Sequence, residues 1–256
     1  METLHLDQLV AAVVFVGARV SGLMVFCPFF GSDAIPAPLK AAFTVLITGL
    51  LYPLRGPLQL DLGSWQWLAV MLGEVIIGLL LGLAVNFMME APLMAGQVLG
   101  VQMGYSLATL FDPQTQADTP VLGELHRLAA LLIFLQLDVH HWLLRALVRS
   151  FAYLPPGTAL VTMACASGFL RAAGGIFLAG VQIAAPALVA TVIADVALGF
   201  LGKASAQLPV LFIGLAVKNL LGLAILAGVV ARWPHSFSDR FAEAVSAGEK
   251  LLHLAR

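Results

Sequence analysis

The sequence predicts an all-α integral membrane protein, a helical fold of kinked hairpins, and two observations support this fold class. Hydrophobic residues make up 61% of the 256 residues and charged residues only 11%, whereas an average soluble domain carries about 25% charged residues. Several apolar runs approach the length of about 20 residues that a helix needs to span a bilayer. They are too long and unalternating for barrel strands. Soluble, collagenous and disordered chains are therefore excluded.

Two apolar segments open the chain. The first runs from Leu9 to Phe30, is interrupted by Arg19, and predicts a helix that ends near Pro28, because proline cannot continue a helix without loss of a hydrogen bond. The second follows Lys40 and stops at Pro53, which predicts a short span and then a loop.

Two further segments are rich in small residues. The run from Trp65 to Met89 carries Gly73, Gly78 and Gly82 at close to one-turn intervals, a spacing that suits close packing against a neighbouring helix. The run from Ala91 to Phe111 mixes glycines with glutamines and predicts a helix that is buried in protein rather than exposed to lipid.

The most polar internal segment, from Asp112 to Glu124, predicts a long loop. Leu125 to Tyr153 then predicts one long helix that terminates at Pro155-Pro156-Gly157. Its many charged and histidine side chains do not belong wholly in lipid.

The second half has a similar pattern. The stretch from Thr158 to Ala194 contains a Gly174-Gly175 pair and Pro186, which predict a helix, a break and a second, kinked helix. Leu211 to Val230 predicts the last apolar helix, and the charged tail from Arg232 predicts a surface helix.

No composition shift marks a boundary, so residues 1–256 are predicted to form one helical membrane domain. The N-terminal segment has no Lys or Arg, whereas the tail carries several. The positive-inside tendency then places the C-terminus in the cytoplasm.

Catalytic, metal and cofactor chemistry finds no support in the motifs. The net charge of -1 gives no basic field for nucleic acid, and no nucleotide-binding loop or nucleophile motif occurs. His140 and His141 are adjacent, so on a helix they should point about 100° apart and not chelate one metal. Cys27 and Cys165 lie among apolar residues and read as small buried hydrophobes. The sequence predicts no enzyme, no metal and no cofactor.

Ionisable side chains within or beside apolar runs are functional candidates because of their desolvation cost. Their spacing assembles no proton relay, which favours structural ion pairs or subunit contacts. These residues are Glu74, Glu90, Asp138, Asp195, Lys203 and Lys218.

Two interpretations of the polar loop DPQTQADTP stay open from the residues alone. Irregular backbone at membrane depth is tolerated where it lines or blocks an aqueous cavity enclosed by protein. The alternative is an ordinary surface connection.

Several stretches together resemble one known family. They run from PFFGSDAIPAPLK through GEVIIGLLLGLAVNFMMEAPLMAGQVLGVQMGYSLATLFDPQTQADTPVLG to HHWLLRALVRSFAYLPPG and DVALGFLGKASAQLPVLFIGLAVK, nearly the whole chain. The most specific element is the order of Gln102, Gly104, Ser106, Asp112, Pro113 and Pro120. The chain resembles the FliR family, the flagellar member of the T-component of type III secretion export gates. One departure is Ala206, where the family commonly has proline before the glutamine that matches Gln207.

The resemblance implies a non-enzymatic, pore-forming subunit in the bacterial inner membrane, within the flagellar basal body. Its implied partners are FliP and FliQ, with which it forms a helical export-gate complex, FlhB on the cytoplasmic side with FlhA nearby, unfolded export substrates and membrane lipid. The implied organisation is a FliP-like part to about residue 190, a FliQ-like part to about residue 232 and a short charged tail.

The resemblance also implies site residues. In the family, the loop after QMGYSLATLFDP plugs the closed pore. The matching candidates are Ser106, Leu107, Thr109, Phe111, Asp112, Pro113, Gln114, Thr115, Gln116, Thr119 and Pro120. Subunit contacts or structural ion pairs are expected at Glu74, Asp138, Asp195, Lys203, Gln207 and Lys218.

The predicted function is closure of the secretion channel by this plug and its opening for flagellar proteins in export. One alternative is the T-component of a virulence (injectisome) secretion system. A second alternative is a small-solute permease, which would place an ionisable site between two repeats, although the halves show no convincing inverted repeat.

Overall fold

A computed structural model describes residues 2–31, 35–54, 64–105, 121–157, 163–204 and 210–254. These residues contain no strand, as the predicted all-α class requires. They form helices α1 (Glu2–Phe26), α2 (Ala37–Leu51), α3 (Ser64–Gln102), α4 (Val121–Gln136), α5 (Val139–Tyr153), α6 (Met163–Ala204), α7 (Val210–Val230) and α8 (Trp233–Leu254), with a 3-10 turn at Tyr52–Leu54.

Helices α1 and α3 approach each other closely through glycines. A Cβ atom at Gly78 would overlap the carbonyl oxygen of Arg19, and one at Gly82 would lie 2.9 Å from the carbonyl oxygen of Leu23. On the facing helix, a Cβ at Gly22 would overlap the carbonyl of Val75. Larger side chains would push the two backbones apart, as at other close helix crossings. The predicted role of the glycine face in helix packing is confirmed for Gly78 and Gly82.

Helix α3 is longer than the sequence pattern predicts. The two predicted segments, Trp65–Met89 and Ala91–Phe111, join into one helix that continues through Pro92 and ends at Gln102. Interior proline removes one backbone hydrogen bond, but in a bilayer neighbouring helices let such a helix continue, whereas a full break would leave several groups unpaired.

The predicted long helix Leu125–Tyr153 is instead two helices. Its N-terminal part, α4, bends by 64° into α5 at a short break. Asp138 occupies this break in the left-handed conformation, with φ 55°. Aspartate tolerates this conformation better than most residues because its short polar side chain can bond locally.

Helix α6 shows the opposite deviation. The expected break is absent: the helix runs without interruption through Gly174-Gly175 and Pro186 to Ala204. A Cβ at either glycine would meet no atom within 4 Å. Neither glycine therefore lies at a close contact with another part of the described chain. A continuous helix satisfies its own backbone groups, which outweighs the penalty of about 1 kcal/mol for an interior glycine.

The chain divides into two compact units that interleave in sequence: residues 1–88, 134–174 and 240–256, and residues 89–133 and 175–239. In the first unit, Phe15 is buried against Trp67, with ring centroids 4.8 Å apart. In the second unit, Gly96 lets α3 approach the start of α4, where a Cβ at Gly96 would lie 2.6 Å from the Cα of Gly123.

Four helices of the described chain are long and apolar enough to cross a membrane: α1, α3, α6 and α7. The bent α4–α5 pair would make five if it is one broken span, and α2 is too short. These lengths and compositions are those of a multi-pass membrane protein, as predicted.

Candidate functional site

A fully buried ion pair joins α1 to α3. The guanidinium of Arg19 lies 2.6 Å from Oε2 of Glu74, and both side chains are 0% exposed. Glu74 was predicted as a candidate from its position in an apolar run, but its partner was not. The signal was available, because a lone arginine in the apolar segment of α1 requires a compensating anion. The two residues are 55 positions apart in the sequence, so no local pattern predicts that they pair.

The remaining polar atoms of this pair are also bonded. Arg19 donates to the Ser150 hydroxyl at 3.1 Å and to the Leu154 carbonyl at 3.0 Å. Oε1 of Glu74 accepts the backbone N–H of Gly157 at 2.8 Å, and the guanidinium lies 4.3 Å from the centroid of the Phe151 ring. The network thereby fastens α1, α3, α5 and the Pro-Pro-Gly turn after α5, all within the first unit.

A second ion pair lies in the other unit, between α6 and α7. Nζ of Lys218 is 2.9 Å from Oδ1 and 3.0 Å from Oδ2 of Asp195. The side-chain amide of Gln102, at the end of α3, donates to the same carboxylate at 2.9 Å. Asp195 is 43% exposed and Lys218 is 15% exposed, so this pair reaches the surface of the chain. Three helices therefore meet at one carboxylate.

The end of α3 at this carboxylate has a defined cap. The amide of Gly104, at φ 84°, donates to the Val101 carbonyl at 3.1 Å, and the amide of Tyr105 donates to the Gly100 carbonyl at 2.9 Å. This pair of bonds is a Schellman cap, which requires the left-handed conformation that glycine adopts without strain. Met103 is buried, and its side chain occupies the space beside Gly222 of α7. The chain thus leaves α3 from a fixed point.

Asp138, His140 and His141 gather at the bend before α5. Oδ1 of Asp138 is 3.3 Å from Nδ1 of His141 and 3.8 Å from Nε2 of His140. The centroids of the two imidazole rings are 4.1 Å apart. The rings therefore lie side by side, although adjacent residues on a regular helix should point about 100° apart. One nitrogen or oxygen from each residue lies within 4.8 Å of the others, so the geometric argument against a shared metal does not hold here. The prediction of no metal stays a prediction.

A comparison with known protein families assigns the chain. Residues 10–244 match the family model for bacterial export proteins, family 1. The chain belongs to the bacterial export proteins, family 1. The predicted resemblance to the FliR family is confirmed by this match and by relatives that carry that name.

Three bacterial proteins are similar to this chain over most of its length. The flagellar biosynthetic protein FliR of Escherichia coli is 30% identical, with 87% of each chain covered. The protein of the same name in Bacillus subtilis is 29% identical over 86% of each chain. The secretion system apparatus protein SsaT of Salmonella typhimurium is 28% identical over 90% of this chain and 91% of its own length.

The other predicted residues of this bacterial export protein lie apart from the two ion pairs or outside the described residues. Lys203 is exposed in the last turn of α6. Gln207 and every plug candidate, from Ser106 to Pro120, lie outside the described residues. Cys27 is buried, as predicted, and burial raises the pKa of its thiol to about 11. The thiol is therefore neutral at physiological pH.

Proposed function

We propose that this chain is a pore-forming, non-enzymatic subunit of the flagellar type III protein export gate in the bacterial inner membrane. Its similarity to proteins named FliR over 86–87% of the chain supports the flagellar assignment. In this proposal it assembles with FliP and FliQ, with FlhB and FlhA nearby, and passes unfolded export substrates. The segment to about residue 190 is FliP-like, and the segment to about residue 232 is FliQ-like.

The lengths and exposed faces of the apolar helices support assembly with other helical subunits. The apolar windows of α3 and α6 each cover 38 residues, about 57 Å of helix, which is nearly twice the roughly 30 Å hydrocarbon core of a bilayer. Only 28% of the α6 window and 17% of the α7 window are buried within the chain. One bilayer crossing is too short to cover the apolar surface of α3 and α6, so the remaining apolar surface needs contact with other subunits.

The plug is proposed for residues 106–120, with Gln102, Asp195 and Lys218 as its anchor. The single observation that supports it is the fixed end of α3, held by the carboxylate of Asp195 and capped at Gly104 immediately before this segment. A polar loop that closes a channel needs a rigid root, because an unanchored loop would lose its closing position to thermal motion.

Deletion of residues 110–119 tests the plug. We expect higher leakage of ions and small molecules across the inner membrane when the variant is expressed with its partner subunits. A variant that replaces the same residues with a Gly-Ser linker of equal length should leak as well, because its length but not its shape is preserved. Copurification with FliP and FliQ confirms assembly in each case. An assembled deletion variant no leakier than wild type would remove the plug proposal.

Similarity to the SsaT protein favours a second candidate, the equivalent subunit of a virulence-type secretion system. Expression of the chain in a strain that lacks its flagellar counterpart, and in one that lacks its virulence counterpart, separates the two. Restored motility supports the flagellar assignment. Restored effector secretion without motility would overturn it.

A further inference from the structure

Helix α5 has two chemically different faces. One face is buried in the first unit and consists of Val139, Leu143, Ala146, Leu147, Ser150 and Phe151. The other face carries His141, Arg145 and Arg149, which are four residues apart and exposed. Because residues four apart lie one above the other on a helix, these three cationic or titratable side chains form one stripe.

An open groove lies along this stripe. It has a volume of about 310 Å³ and is lined by His141, Leu144, Arg145, Val148 and Arg149. This volume is at the lower end of the range for small-molecule sites, about 300–1,000 Å³. Two aliphatic residues alternate with the basic ones, so the groove combines an apolar floor with guanidinium groups.

The charges around the groove are unevenly compensated. Nη1 of Arg149 lies 3.5 Å from Oε1 of Glu249 on α8, and Nδ1 of His141 lies 3.3 Å from Oδ1 of Asp138. Arg145 is exposed and makes no hydrogen bond or ion pair with any residue that the structure describes. Among the described residues, the Arg145 guanidinium therefore has no anionic partner, and it lies beside an apolar surface.

We propose that this groove binds an anionic phospholipid, with the lipid phosphate on Arg145 and Arg149 and the first acyl carbons on Leu144 and Val148. A guanidinium matches a phosphate through two parallel hydrogen bonds. The apolar floor favours a lipid over free phosphate, which has no apolar part to bury. Anionic phospholipid is available to this chain because the chain spans a membrane. In other proteins, basic pockets beside membrane helices bind anionic lipid headgroups. This inference does not depend on the plug or on the flagellar assignment.

Lipid retention by the full-length chain tests the proposal. The protein is reconstituted in vesicles of phosphatidylcholine with phosphatidylglycerol, extracted in mild detergent, and its bound lipid is measured by native mass spectrometry. Wild type should retain phosphatidylglycerol in preference to phosphatidylcholine. Arg145→Gln should lower phosphatidylglycerol retention about fivefold, since one cation near an anionic lipid surface contributes about 1 kcal/mol. Arg149→Gln should have a smaller effect because Glu249 already neutralises part of its charge.

Matched variants separate this site from general charge effects and from misfolding. Arg171→Gln removes another exposed arginine of the first unit and should leave retention unchanged. Val148→Glu should abolish phosphatidylglycerol retention, because it places a carboxylate in the groove. Arg145→Lys keeps the positive charge and should retain more phosphatidylglycerol than Arg145→Gln. Each variant must match wild type in protease resistance.

Equal retention by wild type and Arg145→Gln would overturn the proposal. So would equal loss in Arg171→Gln, equal binding of the zwitterionic lipid, or displacement of the lipid by inorganic phosphate alone. An acidic partner protein that occupies the groove in place of phosphatidylglycerol in the assembled complex would also overturn it.

Discussion

Among the residues that the structure describes, two ion pairs connect membrane helices, and they differ in how far the protein encloses them. Arg19 and Glu74 are fully buried, and neighbouring hydroxyl, carbonyl and amide groups take up their remaining hydrogen-bonding positions. Asp195 and Lys218 also form an ion pair, with 2.9 Å between Nζ and Oδ1, yet Asp195 is 43% exposed. The first pair fastens the fold. The second holds three helix segments together while it leaves a carboxylate within reach of other groups.

The burial of an ion pair determines how much stability is lost when one partner is removed. A buried charge without its partner is strongly destabilising, by about 3–5 kcal/mol, even where the intact pair adds little net stability. A partly exposed pair contributes about 0–1 kcal/mol, because solvent can compensate the charge that remains. The two pairs should therefore separate stability from function when each is broken.

The largest effect should come from the buried pair. Arg19→Met alone leaves the Glu74 carboxylate buried without a cation, and we expect a loss of about 3–5 kcal/mol in the free energy of unfolding. Glu74→Leu alone should cost a similar amount. Unfolding of the detergent-solubilised chain by denaturant, followed by tryptophan fluorescence, measures both.

The double variant Arg19→Met/Glu74→Leu is the control for this prediction. With both charges absent, no buried ion remains unpaired, so its stability should recover by more than 1 kcal/mol relative to either single variant. Additive losses in the double variant would show that packing, and not charge, accounts for the single effects.

The next effect concerns the close crossing that places this pair. Gly78→Ala should destabilise the protein by about 1–3 kcal/mol, because the new methyl group would overlap the carbonyl of Arg19. Gly49→Ala is a matched control, since a Cβ there meets no atom within 4 Å and alanine favours helix. Gly49→Ala should be neutral or stabilising in the same denaturation assay. Equal losses at both positions would contradict a specific crossing at Gly78.

The sequence predicts most of this fold because apolar runs and prolines act locally. The end of α1 near Pro28, the end of α5 before Pro155 and the position of α7 all follow from such patterns. The continuity of α3 through Pro92 does not, because the need to pair backbone groups within lipid outweighs the local preference for a break.

The candidate site was less predictable, since its partners are distant in sequence. Glu74, Asp195 and Lys218 could be selected as costly charges in apolar runs, but no local pattern joins Asp195 to Gln102 across 93 residues. The bend at Asp138 could have been suspected, because aspartate is one of the few residues that accept the left-handed conformation. The long leucine-rich pattern around it favoured one helix instead.

The smallest stability effect, and the most informative functional one, should come from the exposed pair. Asp195→Asn keeps an oxygen that accepts a hydrogen bond but removes the charge that Lys218 and Gln102 share. We expect a loss of less than about 1 kcal/mol in the free energy of unfolding. If Asp195 anchors the root of a plug, as proposed, leakage across the inner membrane should nevertheless rise, though less than after deletion of residues 110–119.

Glu90→Gln is the matched control for that variant, because Glu90 is an exposed carboxylate of α3 for which the described chain shows no ion pair. It should leave both stability and leakage at wild-type values. A loss of stability at Asp195 as large as that at Glu74 would place the two pairs in one structural class and erase the distinction between them. Normal stability with normal leakage would instead leave the exposed pair with no role in closure, because a loosened root must let a plug move.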